Sequence, residues 1–129
     1  MIKINELRIG NIVEYNDFHL PVYSIIGAFP RKGTRYNDKA LVDLSCDGFI
    51  TANEDEINPI LITPEILTRC EFKRDRYGVY SLNCIHIFFE HGESFVSIYN
   101  TDPLYYIKNL HQLQNLYYMM YNEDMEVKL

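Results

Sequence analysis

The residues whose types could do chemistry gather in NCIHIFFEHGE, residues 83 to 93. Cys84 and His86 are the nearest thing in the chain to a nucleophile and its base. Residues two apart on a strand point the same way but sit roughly 6 to 7 Å apart, too far for the hydrogen bond that activates a thiol. His86, Glu90 and His91 could be imagined around a metal ion. Across a strand end, however, they lack the helical register that lets two histidines converge on one ion. A buried histidine at 86 and an exposed turn histidine at 91 are the simpler expectation. The chain has no Gly-rich phosphate loop, GxSxG elbow or HExxH motif. The sequence therefore assigns no catalytic residue, metal ligand or cofactor, and the expectation is a protein that is not an enzyme.

Basic residues cluster twice, as Arg31, Lys32 and Arg35 in PRKGTRYNDK and as Arg74 and Arg76 in KRDRY, each with a tyrosine close by. Cation beside ring is what a nucleic-acid groove uses, because charge neutralises phosphate and the ring stacks on bases. The competing reading, two solvated hairpin tips carrying Asp38 and Asp75, is favoured by the overall charge of −6. Split after Ile62, each half holds six basic and nine acidic residues, so neither is a basic module. Nucleic acid is thus the alternative partner, disfavoured by charge.

The elements that would position these residues change character near residue 63. Before it, NIVEY, PVYSIIGAF, KALVDLS, FITA and INPILI are short β-branched or aromatic runs broken by turn residues such as Gly10-Asn11, Gly33 and Cys46-Asp47-Gly48. Five short strands in so little chain predict a small, strongly bent barrel. At TPEILTRC, Thr63 suits the helix cap, Pro64 the first helical position and Glu65 the positive end of the dipole. Ile66, Leu67 and Cys70 would face the core. A hairpin turning near Asp75 to Gly78 follows, then strands CIHIFFE and SFVSIY joined by HGE, a helix from about Asn109 to Asn122, and MEVKL as a closing strand. The expected fold class is α+β: an SH3-like β-barrel over residues 1 to 62 beside an antiparallel sheet with two helices over residues 63 to 129. The barrel is an analogy of shape, and shape does not decide function.

On the second helix, about 100° per residue places Leu110, Leu113, Leu116, Tyr117 and Met120 on one arc and His111, Gln114, Asn115 and Tyr118 on its neighbour. The first arc is expected in the core. The second is either wet surface or a face offering uncharged donors and acceptors to a partner. Eleven tyrosines and no tryptophan, eight of them after residue 63, add rings suited to core edges and interfaces.

Three pieces, ELRIGNIV (6 to 13), INPILITPEIL (57 to 67) and HQLQNLYYMM (111 to 120), jointly resemble a family of small proteins of unassigned activity from gut Bacteroidetes and their phages and mobile elements. The resemblance runs in order over nearly the whole chain. It departs at Lys108-Asn109-Leu110 and at MMYNEDMEV, where a Gly-containing turn is usual. It implies a cytoplasmic, phage-related protein and brings no catalytic residues. With it, the leading expectation is a non-enzymatic protein-binding module acting on an unidentified protein partner through His111, Gln114, Asn115 and Tyr118.

At 129 residues the chain can close one ordinary core or two small ones. No apolar run reaches the roughly 18 to 20 residues that cross a bilayer, and MIKINELRIG lacks the apolar centre of a signal peptide, so a cytoplasmic location without membrane partners is expected. Cys46, Cys70 and Cys84 are odd in number and widely spaced, as reduced thiols would be. MEVKL raises the question of edge pairing between two copies: Glu126 and Lys128 discourage indiscriminate stacking but permit a two-fold antiparallel pairing, and the leading expectation is a monomer whose last strand pairs internally.

Overall fold

The computed structural model describes residues 2, 4–26, 41–44, 50–99 and 105–128. The chain divides into two compact units, Met1–Ile60 and Leu61–Leu129. Together they form an α+β protein with one antiparallel sheet in each unit and two α-helices.

The first unit opens with a turn that Asn11 organises. Its side-chain oxygen accepts the Arg8 N–H at 2.7 Å, its own N–H reaches Arg8 O at 3.0 Å, and its carbonyl receives the Val22 N–H at 2.7 Å. Gly10 takes φ +94° there, where a glycine has no Cβ to clash. Asn11 is fully buried, so three bonds hold a polar residue inside at little net cost. Strand β1 (Ile12–Tyr15) then meets β2 (Phe18–Ile26) through a two-residue turn. Asn16 and Asp17 both have positive φ, the signature of the tight hairpin turn that matches strand twist.

Strand β2 is shared. Its first half pairs with β1 up to Ile12–Pro21, and after an irregularity between Val22 and Ser24 it pairs with β3 (Leu41–Leu44), which pairs with β4 (Ile50–Asn53). The extra residue at Tyr23 bends the strand. Ile2, Val13, Val22, Val42, Leu44, Ala52 and Ile57 close the core beneath. On the opposite side Ser24 and Thr51 each donate to the Asp43 carboxylate at 2.7 Å, and those bonds hold its pKa below the ordinary value.

The sheet order β1-β2-β3-β4 is open. INPILI, expected as a fifth strand, forms only isolated bridges, Glu14 with Asn58 and Leu61 with Asn109. Pro59 supplies no N–H, so a ladder cannot continue through it.

In the second unit Thr63 caps helix α1 (Pro64–Arg69) by accepting the Ile66 N–H at 3.2 Å, with Pro64 in the first turn. Ile66, Leu67 and Cys70 are buried. The sheet follows in chain order, β5 (Lys73–Arg74), β6 (Tyr80–Leu82), β7 (Ile85–Glu90), β8 (Glu93–Ile98) and β9 (Tyr105–Tyr106). Ile85, Ile87 and Val96 alternate into the core, leaving His86, Phe88, Phe95 and Ser97 half-buried on the other face. Helix α2 spans Leu110–Tyr121. Gln112 Oε1 accepts the N–H groups of Lys108 and Asn109 at 3.1 and 3.0 Å at its start. Asn122, left-handed at φ +55°, ends it by donating to Tyr118 O at 2.8 Å.

The expected closing strand does not form. Residues 124 to 128 are irregular, with Met125 buried, the Lys128 N–H on Arg69 O at 2.8 Å and Lys128 Nζ 2.8 Å from Glu71. This segment ties back onto the C-terminal end of α1, whose last carbonyls have no partner within the helix. No helix among the described residues is long and apolar enough to cross a membrane.

Candidate partner-binding face

Helix α2 sits on its unit in an orientation its leucines do not dictate. Leu110, His111, Leu113, Gln114 and Tyr117 are buried, while Leu116 and Met120 are only partly covered. At about 100° per residue, the buried arc is rotated by roughly 60 to 70° from the arc the apolar residues alone would choose. His111 is 1% and Gln114 4% exposed, and both take part in interactions. Of the four residues expected on a partner face, these two lie in the interior. Asn115 is half-buried and Tyr118 is on the surface beside Met119, which is 82% exposed.

The same rotation leaves Leu116 beside the edge of the sheet. There it joins Val96 and Ile98 of β8 and Tyr105, Tyr106 and Ile107 in lining an apolar cleft of about 380 Å³. Tyr105 and Tyr106 are each more than half exposed. The strand is anchored beneath them by the Ile107 N–H to Ser94 O at 3.3 Å, and by Ser94 Oγ donating to Ile107 O. Phe88 stacks on Phe95 at 5.5 Å between centroids, and Tyr106 meets Phe95 edge-on at 6.0 Å. Sequence reasoning missed the cleft because its walls come from positions 96 to 116 and are joined only by the β8–β9 pairing. The exposed pair Tyr105-Tyr106 was its one visible signal.

At the far end of α2, Tyr117 and Tyr121 pack ring to ring at 4.7 Å, and Tyr121 Oη accepts the Cys84 N–H at 3.1 Å. Burial raises both phenols, with the Glu123 carboxylate adding to the effect at Tyr117. Cys84 lies in the turn before β7. The partner that the structure gives His86 is Ser81, its cross-strand neighbour, with Ser81 Oγ 2.7 Å from His86 Nδ1. Polar residues at opposed strand positions bond in this way without any catalytic purpose. Burial pushes the Cys70 thiol up to about 12, which leaves it protonated and unreactive at neutral pH. His91 Nε2 stands 3.8 Å from Glu90 in full exposure. Among the described residues, no group of three or more His, Cys, Asp or Glu side chains could hold a metal ion.

Of the basic residues, Arg74 and Arg76 are exposed at the β5–β6 hairpin. Asp75 shapes that turn by accepting the N–H groups of Tyr77 and Val79 at 2.8 and 3.0 Å, and Gly78 supplies a φ of +82°. The Arg76 guanidinium lies 4.9 Å over the Tyr77 ring. Arg31, Lys32 and Arg35 lie outside the described residues.

The architecture is an α+β pair of antiparallel sheets with an aromatic-edged cleft beside a helix. Comparison with family models, curated proteins and solved structures finds no match to this chain in any of the three.

Proposed function

We propose that the chain is a non-enzymatic protein-binding module, an accessory protein of phages or mobile elements acting on a host or phage protein. The docking face is the exposed side of α2 and the cleft beside it, with Tyr118, Met119, Leu116, Tyr105 and Tyr106 as contacts. The observation that carries this reading is the open apolar cleft with exposed rings at its mouth. Rings and methionine give large contact area and adapt to a partner's shape. The buried His111 and Gln114 hold the helix in the rotation that opens the cleft, so they act on binding through Leu116. Affinity capture with the full chain is expected to retain a defined protein that Tyr118→Ala and Met119→Asp release while the variants stay folded. Retention by folded variants would remove this face from the reading.

The first unit is read as an SH3-like barrel left partly open. Supporting this are the shared, bent β2, the 3-10 turn at Glu54–Glu56 after β4, and the return of Asn58 to β1 through two bonds of 2.9 Å with Glu14.

A second reading is nucleic-acid contact at the β5–β6 hairpin, favoured by Arg76 over the exposed Tyr77. It predicts a low-salt gel shift that fades steeply as salt rises and is lost in R74Q/R76Q.

A further inference from the structure

Strands β7 and β8 run side by side inside the second sheet, yet their two faces end differently. Ile85, Ile87 and Val96 on one face are at most 1% exposed, whereas Phe88 and Phe95 on the other remain partly open. Both strands already have sheet neighbours on either side, so only something lying on the face itself could close over those rings. The register divides that face into three rows: His86 opposite Ser97, Phe88 opposite Phe95, and Glu90 opposite Glu93. The phenylalanines stack at 5.5 Å, and Tyr106, at the edge shared with the cleft, continues their row at 6.0 Å from Phe95. Like charges directly opposed across a strand pair destabilise it. Glu90 has only the exposed His91 at 3.8 Å, a contact of little worth, and among the described residues no cation pairs with Glu93. In the row at the other end, Ser81 Oγ lies 2.7 Å from His86 Nδ1. With that hydroxyl donating, the neutral ring carries its proton on Nε2 and has a donor left over.

We infer that this face pairs with the same face of a second copy of the chain, in a weak two-fold dimer. The phenylalanine row lies midway between the other two, two residues from each. A two-fold axis running along it, between the sheets, sets Phe88 on Phe88 and Phe95 on Phe95 and brings His86 of each copy onto Glu90 of the other. The remaining imidazole donor then meets the carboxylate pair, twice per dimer. Four residue steps of about 3.4 Å and three strand spacings of about 4.8 Å make a patch roughly 14 Å on a side. That is well below the roughly 800 Å² per partner of a stable interface. Each copy also carries a charge of −6, so the dissociation constant is expected at roughly 0.1 mM. A nucleic acid would be repelled by the glutamate row.

Sedimentation of the full chain from about 20 µM to about 1 mM, spanning that constant, is expected to show monomer giving way to dimer. His86→Glu, which sets an acid against Glu90, and Glu90→Lys, which removes the acceptor, should each weaken the dimer about tenfold, and H86E/E90K together should restore it to within about threefold. The two positions lie about 13 Å apart on one strand, so only pairing between copies produces that rescue. Glu54→Lys, the same charge change at an exposed site in the first unit, controls for net charge and should not weaken association. Thermal melts check folding, and Glu90 is exposed at the hairpin end, so its variant carries the test if His86→Glu unfolds on losing the Ser81 bond. A monomer at every concentration, assemblies larger than a dimer, single variants that associate like the parent, or a folded double variant no tighter than either single would overturn the inference. So would capture of another protein that Glu90→Lys releases while the chain itself stays monomeric.

Discussion

The two units bury their interiors in similar ways and finish their surfaces differently. In the first, valine, leucine and alanine side chains from four strands close over Ile2 and Ile57, and among the described residues the large exposed apolar ones are Ile9, Phe18 and Tyr23. In the second, a sheet and two helices leave Leu61, Tyr77, Tyr99, Tyr105, Tyr106, Tyr118 and Met119 exposed. Both units also bury uncharged polar groups, Asn11 in one and Ser94, His111 and Gln114 in the other. Asn11 fixes a turn. His111 and Gln114 lie on the buried arc of α2, while Leu116 and Met120 on the same helix are only partly covered. The contrast shows how polar residues can share a core while apolar ones stay at the surface.

The sharpest way to break this comparison is to ask whether each unit has its own core. Leu44→Ala and Leu113→Ala, both at fully buried sites, should each cost about 2 to 5 kcal/mol. Hydrogen exchange should show each loss confined to its own unit. A loss spread evenly over all protected amides would mean one shared cooperative unit.

Next in size, Asn11→Ala and His111→Ala remove buried polar groups and should cost about 1 to 3 kcal/mol in urea unfolding. Tyr118→Ala should stay within about 0.5 kcal/mol, so a large Tyr118 effect would show that the exposed ring belongs to the core.

The smallest effect concerns acid. Asp43 is ionised more readily in the fold than in the unfolded chain, so its contribution is present above the ordinary value of 3.8 and is lost as pH falls through the lower folded value. Asp43→Asn should therefore flatten the acid limb of the first unit's stability curve and leave the second unit's unchanged. An unaltered acid limb would contradict the bonds from Ser24 and Thr51.

Much of the second unit was legible in the chain. Thr63-Pro64 announces α1 because cap and first-turn chemistry are local, and the alternation of β7 and β8 is strict. The limits of α2 at Asn109 and Asn122 follow from a capping residue and a left-handed one. Two expected strands failed, and for different reasons. INPILI has strand-like side chains but a proline where the ladder needs a donor. MEVKL has the alternation, yet its backbone finds a partner at Arg69 instead of a neighbouring strand. The candidate site was the least legible part. Gln and His are as suited to a bonded interior as to water, so periodicity could not choose the rotation of α2, and the cleft depends on that choice.

The bond from Lys128 to Arg69 also orders events in time. Among the described residues, the core cluster of the first unit ends at Ile57, whereas the end of α1 waits for Lys128. At about 5 to 20 residues per second, the ribosome spends several seconds in that interval. Over that interval the rings and leucines of the second unit emerge one after another, and the bond that ties the end of α1 to Lys128 is the last of these to become available.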